Sequence, residues 1–306
     1  MLAFFFMNIT LAQEKSIYRQ AYVDPFILNP AFTGSAQIPV ARLAVEKRLV
    51  GFSNSPSTVL LTGNTRIGDY KFYTPGGLVN KGPLKVGNHT AFGGALFYDN
   101  NGPINSTGGM FSYAYHFSLT QGSALSMGLS AKLMNQSVNT SRFETVQPDD
   151  IYLLDDQYDA LRLNFGIGFY FHTSRLFSGV SVMDLLPVES GTDTPVKKPG
   201  YHVLGGYRFN SVTPALDFEP SFLISKRAGE NTDLNFYARV YYLNQHWAAV
   251  SYSTQGFIDI MLAVRLLNSL YLGYNYTYVT GKISSFSYGS HTISFGINLG
   301  LRESNS

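Results

Sequence analysis

The chain of 306 residues has no cysteine. That excludes a disulfide scaffold, thiolate metal sites and cysteine nucleophiles. Charged residues are only 14% of the chain, well under the roughly 25% of soluble domains. The net charge of +2 gives no footprint for nucleic acid. There is one Trp. No apolar run reaches the roughly 20 residues that a membrane-spanning helix needs. The common catalytic signatures are missing too. No HExxH occurs, and no GxSxG elbow. Gly281-Lys282 is followed by Ile283 and lacks the earlier glycine of a P-loop. Gly166-Ile167-Gly168 has no third glycine at dinucleotide spacing. The six histidines are scattered beside apolar runs, which leaves a Ser-His pair at a rim as the remaining route to a hydrolase. No enzyme activity and no cofactor are expected.

What the chain does have is aromatic residues, 23 Phe and 21 Tyr, and an alternation of period two. The stretch "HTISFGINLGL" (291–301) sets Ile293, Phe295, Ile297, Leu299 and Leu301 against Thr292, Ser294, Gly296, Asn298 and Gly300. A period of two gives a strand two faces in different surroundings. The same pattern recurs at 111–117, 125–133, 161–171 and 258–266. Fourteen such runs can be counted, near 38–49, 57–66, 89–98, 108–118, 124–136, 161–172, 175–184, 201–209, 214–226, 233–242, 246–254, 257–265, 270–280 and 291–301. Most are about 9–12 residues, the length of a tilted strand crossing a bilayer. Strands cross lipid only in a closed sheet, because an open edge leaves amides unpaired in hydrocarbon. The expected fold is therefore all-β: a single closed antiparallel transmembrane β-barrel of about fourteen strands. A soluble β-sandwich would have shorter strands.

Joint lengths agree. The joints at 120–123, 173–174, 210–213, 243–245 and 266–269 are short and all follow even-numbered runs. Those at 137–160, 185–200 and 281–290 are longer and follow odd ones. Bacterial barrels have short periplasmic turns and longer extracellular loops, so both termini are expected in the periplasm of a bacterial outer membrane. The 67–88 joint is long and the joint at Thr254-Gln255-Gly256 short, against that rule, and Pro220 falls inside a strand.

Mid-strand charges fall on the small-residue face: Arg42, Glu46, Arg48, Lys132, Arg162, Asp217, Glu219, Arg239, Asp259 and Arg265. A Lys or Arg facing lipid would cost about 2–4 kcal/mol at mid-membrane, so this face should line the bore and pair its opposite charges there. The densest acidic stretch, "DDIYLLDDQYDA" (149–160), lies in the longest expected outer loop. Its spacing does not match a calcium loop. Asp149, Asp150, Asp155 and Asp156 read as a partner-facing surface rather than a metal site.

Residues 1–12, "MLAFFFMNITLA", read as a secretory signal with a short apolar core, although the usual positive leader is absent. Residues 13–37 read as a periplasmic N-terminal segment, 38–301 as the barrel and 302–306 as a tail. Within the N-terminal segment, "DPFILNPAFTGS" (24–35) carries Pro25 and Pro30, which interrupt any helix, and Gly34-Ser35, which ends the unit. This motif resembles the start of the PorP/SprF outer-membrane proteins of the type IX secretion system of Bacteroidetes. The segments "FYDNNGPINSTGGMFSYAYHFSL" (97–119), "LSMGLSAKL" (125–133) and "GSHTISFGINLGL" (289–301) resemble family segments in the same order.

The resemblance implies a non-enzymatic barrel that assists export or surface anchoring of large adhesin-like proteins, in secretion or gliding motility. The partners it implies are outer-membrane lipid, the secreted protein or its C-terminal domain, and periplasmic type IX components. Asp24, Pro25, Phe26, Asn29, Pro30, Phe32 and Gly34 are the candidate plug or partner residues. The alternative is a channel for hydrophobic or small solutes, since Asn29-Pro30-Ala31 also resembles the N-terminal hatch motif of FadL-type channels.

Overall fold

The computed structural model describes residues 24–36, 38–52, 54–67, 87–120, 122–139, 157–190, 198–210, 215–243, 245–267, 269–280 and 287–299. Fifteen strands form one sheet: β1 (Val40–Lys47), β2 (Ser57–Ile67), β3 (His89–Asn101), β4 (Ile104–Thr120), β5 (Ser123–Asn139), β6 (Gln157–Thr173), β7 (Leu176–Ser190), β8 (Gly200–Tyr207), β9 (Phe209–Asn210), β10 (Leu216–Arg227), β11 (Asp233–Tyr242), β12 (His246–Ser253), β13 (Phe257–Arg265), β14 (Leu270–Val279) and β15 (Ser290–Asn298). Apart from β8 and β9, which both pair with β10, neighbours in sequence are neighbours in the sheet, all antiparallel, and β1 closes on β15 with Val40 opposite Asn298 and Lys47 opposite His291. No edge is left open around the ring, which is what a strand-built membrane span requires.

β8 and β9 are two stretches of one stave. Phe218 pairs with Phe209 and Ser221 with Gly206, three residues on along one strand and three back along the other, so the register carries through the gap. The gap lies opposite Pro220, whose nitrogen has no hydrogen to give the ladder. The barrel thus has fourteen staves. Among the described residues no helix is long and apolar enough to cross a membrane.

The large apolar groups face outward. Leu96, Phe111, Leu129, Leu133, Ile260, Leu262, Ile293, Phe295 and Ile297 are all exposed. Their strand neighbours Ser112, Ser126, Met261 and Thr292 are buried in the bore. Such a surface is stable only against lipid; in water it would be a far larger apolar patch than soluble proteins carry.

Three expectations need correction. First, the five runs from β3 to β7 are longer than the alternation indicated: β4, β5 and β6 each span 17 residues. The alternation fades because the outward positions turn polar, at Asn105 and Thr107 on β4 and Asn135 on β5. The joints shrink accordingly, since β5 reaches Asn139, β6 begins at Gln157 and β7 runs on to Ser190. Second, β7 breaks period two. Its pairing with β6 shifts at Phe165, and Asp184 and Leu186 take φ of +58° and +50°. This double bulge turns the consecutive Met183 and Asp184 both into the bore, where each is buried. Third, the bore is not uniformly polar. Leu60, Phe97, Met110, Met134 and Met183 point inward and form one buried cluster with Phe26 and Ile27.

Candidate functional site

Residues 24–35 lie inside the barrel. Asp24 and Asn29 each precede a proline, which disfavours helical geometry, and both are extended with φ of −146° and −139°. Pro25 and Pro30 then each open a single 3-10 turn, Pro25–Ile27 and Pro30–Phe32. The fixed φ of proline suits the first position of such a turn. Asn29 tightens the second, its Oδ1 accepting from the Ala31 amide at 3.0 Å. Gly34 ends the unit with φ +70°, and a Cβ there would lie 2.2 Å from the Ala91 methyl. Only glycine fits this left-handed, closely approached position.

The segment is anchored along its length by groups of the wall. The Asp24 carboxylate takes an ion pair from Arg42 at 2.9 Å and hydrogen bonds from Thr62 at 2.5 Å and Asn64 at 3.3 Å. The Asn29 amide donates to the Phe169 and Val180 carbonyls of β6 and β7, and Ser181 donates to the Leu28 carbonyl. Thr33 shares a hydrogen bond with Ser112, and its carbonyl accepts from His116 Nε2 at 2.7 Å. A carbonyl only accepts, so His116 carries its hydrogen on Nε2, and its Nδ1 accepts from Ser126 Oγ at 2.6 Å. The backbone polar groups of an irregular segment at membrane depth must be met by protein, and these bonds meet the Leu28 and Thr33 carbonyls and the Ala31 amide.

The wall is cut to receive the segment. A Cβ at Gly128 would sit 2.3 Å from the Ala31 nitrogen, and one at Gly168 2.0 Å from Asn29 Oδ1. Tyr170, on the inner face of β6, stacks on Phe32 with ring centroids 3.7 Å apart. Phe26, Ile27 and Leu28 are 3% exposed or less, which for each is worth about 1.5–3 kcal/mol relative to exposure. All seven candidate residues from Asp24 to Gly34 are therefore brought together. The outer-loop candidates Asp149, Asp150, Asp155 and Asp156 lie outside the described residues, as do the signal region 1–12 and the tail 302–306. Among the described residues no group of acidic and histidine side chains has the arrangement of a metal site.

Nearer the long-loop end the charges do pair. Asp184, delivered by the β7 bulge, takes Lys132 and Arg227, each at 2.8 Å. Arg48 meets Asp99 at 2.6 Å. Opposite the inserted segment, a cavity of about 180 Å³ remains between it and β10–β11.

A family model described as type IX secretion system membrane protein PorP/SprF matches residues 10–297. The chain belongs to that family. Outer-membrane location follows from the family and the barrel together. A search of curated proteins finds no match. Among solved structures, the Ralstonia pickettii toluene transporter TbuX is similar with a TM-score of 0.51 at 10% identity, covering 89% of this chain and 92% of that one. A Pseudomonas aeruginosa FadL homologue is similar with a TM-score of 0.47 at 10% identity, covering 88% and 92%. The translocator domain of the autotransporter NalP from Neisseria meningitidis follows with a TM-score of 0.37 at 10% identity, covering 92% and 93%. At these identities the likeness is one of fold alone.

The PorP/SprF-like motif marks residues 24–35 but not the wall groups that hold them. Arg42, Asn64, Ser112, His116, Ser126 and Ser181 were legible only as inner-face residues. The inward glycines of β5 and β6 were the available signal: a face with no side chains at mid-strand leaves room for something else.

Proposed function

We propose that this PorP/SprF protein is a plugged barrel that assists export or surface anchoring of type IX secretion substrates such as large adhesin-like proteins. Residues 24–35 are its plug, the short-turn end with both termini faces the periplasm, and the loops between odd and even strands meet the partner outside. The observation that carries this reading is a bore filled by the chain's own segment through a dedicated set of notches and hydrogen bonds. A membrane anchor tolerates a closed bore, whereas a general pore does not. Periplasmic type IX components would reach the plug from the short-turn end.

Two measurements test it. Deleting 24–35 should raise single-channel conductance in planar bilayers several-fold, and unchanged conductance would rule out the plug. Purification in mild detergent from the native host should bring down a long secreted protein. If only lipid or fatty acid accompanies the barrel, the alternative of a FadL-like solute channel is the better reading. The cavity beside the plug is the observation in favour of that alternative.

A further inference from the structure

We propose that three histidines at the short-turn end make the docking of residues 24–35 sensitive to acid. The inference rests on the reading of that segment as a plug. His89 is the first residue of β3, His172 is one residue from the end of β6, and His116 is four from the end of β4. The rings of His89 and His116 lie face to face, with centroids 4.3 Å apart and planes within 6°. His172 stacks on Tyr170 at 5.0 Å, and Tyr170 stacks on Phe32. His116 holds the next carbonyl, that of Thr33. The histidines thus bear on two consecutive residues of the segment.

The hydrogen bonds suit neutral rings. His116 is fully buried, donates from Nε2 to Thr33 and accepts from Ser126 at Nδ1. His89 donates from Nδ1 to the Gly87 carbonyl at 3.0 Å, and its Nε2 is buried with no partner among the described residues. The His172 Nδ1 is likewise buried without one. A proton added at His116 would meet a donor, and one added at His89 Nε2 or His172 Nδ1 would find no acceptor. Both arrangements are costly inside a protein.

The charged surroundings act in the same sense. Arg66 of β2 reaches His89 and His116, and the three rings act on one another. Among the described residues no carboxylate pairs with any of them. Asp24, the only acid of the segment, is held by Arg42, Thr62 and Asn64. Glu219 of β10 and Tyr241 of β11 act on Tyr170. Two imidazolium rings face to face beside a guanidinium would repel. In the vacated bore the same rings would face water, where histidine titrates near about pH 6.5. The released state therefore binds more protons than the docked one, and docking weakens as pH falls below about 6.5. Each histidine contributes up to about tenfold per further pH unit. Ordinary carboxylates stay ionised down to about pH 5.5, so histidine accounts for the change in that window.

The test uses the full chain folded in detergent micelles. It reads hydrogen exchange across 24–35, corrected for the intrinsic effect of pH on exchange. From about pH 7.5 to about pH 5.5, protection there should fall at least about tenfold, while β13 and β14 stay level. The double variant His89→Phe, His172→Phe keeps two flat rings in the stacks without their titration, and should lose most of that fall. Heat-shifted mobility on gels shows whether it folds. If it does not, His172→Phe alone decides, and should lose part of the fall. Unchanged protection in the wild type, or an equal fall in the folded variant, overturns the proposal. In planar bilayers the intact chain should conduct more at the lower pH, and the 24–35 deletion should conduct alike at both. If the deletion leaves conductance unchanged at about pH 7.5, the plug reading fails, while exchange still decides the role of the histidines.

Discussion

The stretch of wall from β2 to β7 and the stretch from β10 to β15 belong to one barrel but are built differently. The first has strands of 11 to 17 residues, inward glycines at 128 and 168, and inward Leu60, Phe97, Met110 and Met134. The second has strands of 8 to 12 residues, and much of its inner face is Ser, Thr, Asn and Asp. There Asp259 accepts from Ser251 at 2.8 Å and from Asn275 and Thr277. The outer faces are alike, because lipid asks the same of every stave. The inner faces differ because one packs against a protein segment and the other against its own polar neighbours. A barrel's interior thus takes the character of whatever it holds.

Substitutions can break that contrast. The largest effect is expected from Gly168→Leu, whose side chain would occupy the place of the Asn29 amide. The segment should be expelled and conductance should approach that of the 24–35 deletion, while the barrel itself still folds. Phe26→Ala comes next, with a loss of about 3–5 kcal/mol of docking free energy. It should be read as faster hydrogen exchange across 24–35, with β10–β15 unchanged. Asp24→Asn leaves Arg42 without its counter-charge in a largely buried site and should cost about 1–3 kcal/mol, again confined to exchange in 24–35. Asn29→Ala removes the two bonds to the Phe169 and Val180 carbonyls, for about 1–2 kcal/mol. Ser251→Ala, on the other wall, should change stability by about 1 kcal/mol or less and leave conductance where it was. If Ser251→Ala opened the bore as Gly168→Leu does, the division of labour between the walls would be wrong.

Much of this was written along the chain. Alternation in "HTISFGINLGL" placed Ile293, Phe295 and Ile297 outward and Thr292 inward, as found. Pro25 and Pro30 ruled out a helix there and Gly34 marked the end of the unit, while the two 3-10 turns came from the structure. The exceptions were the positions where distant residues meet. Met183 and Asp184 share a face only because a bulge slips β7 against β6. Leu60 and Phe97 read as ordinary strand apolars, yet they turn inward to cover Phe26 and Ile27.

By itself the sequence determined the membrane-facing surface, the number of staves and the local shape of the N-terminal turns. Each of these depends on residues two to five apart, or on a solvent that is the same all round. Only the tertiary structure decided what the bore contains. Which glycine accepts Ala31 and which carbonyls hold Asn29 both depend on staves brought together by closure of the sheet, from positions far apart along the chain.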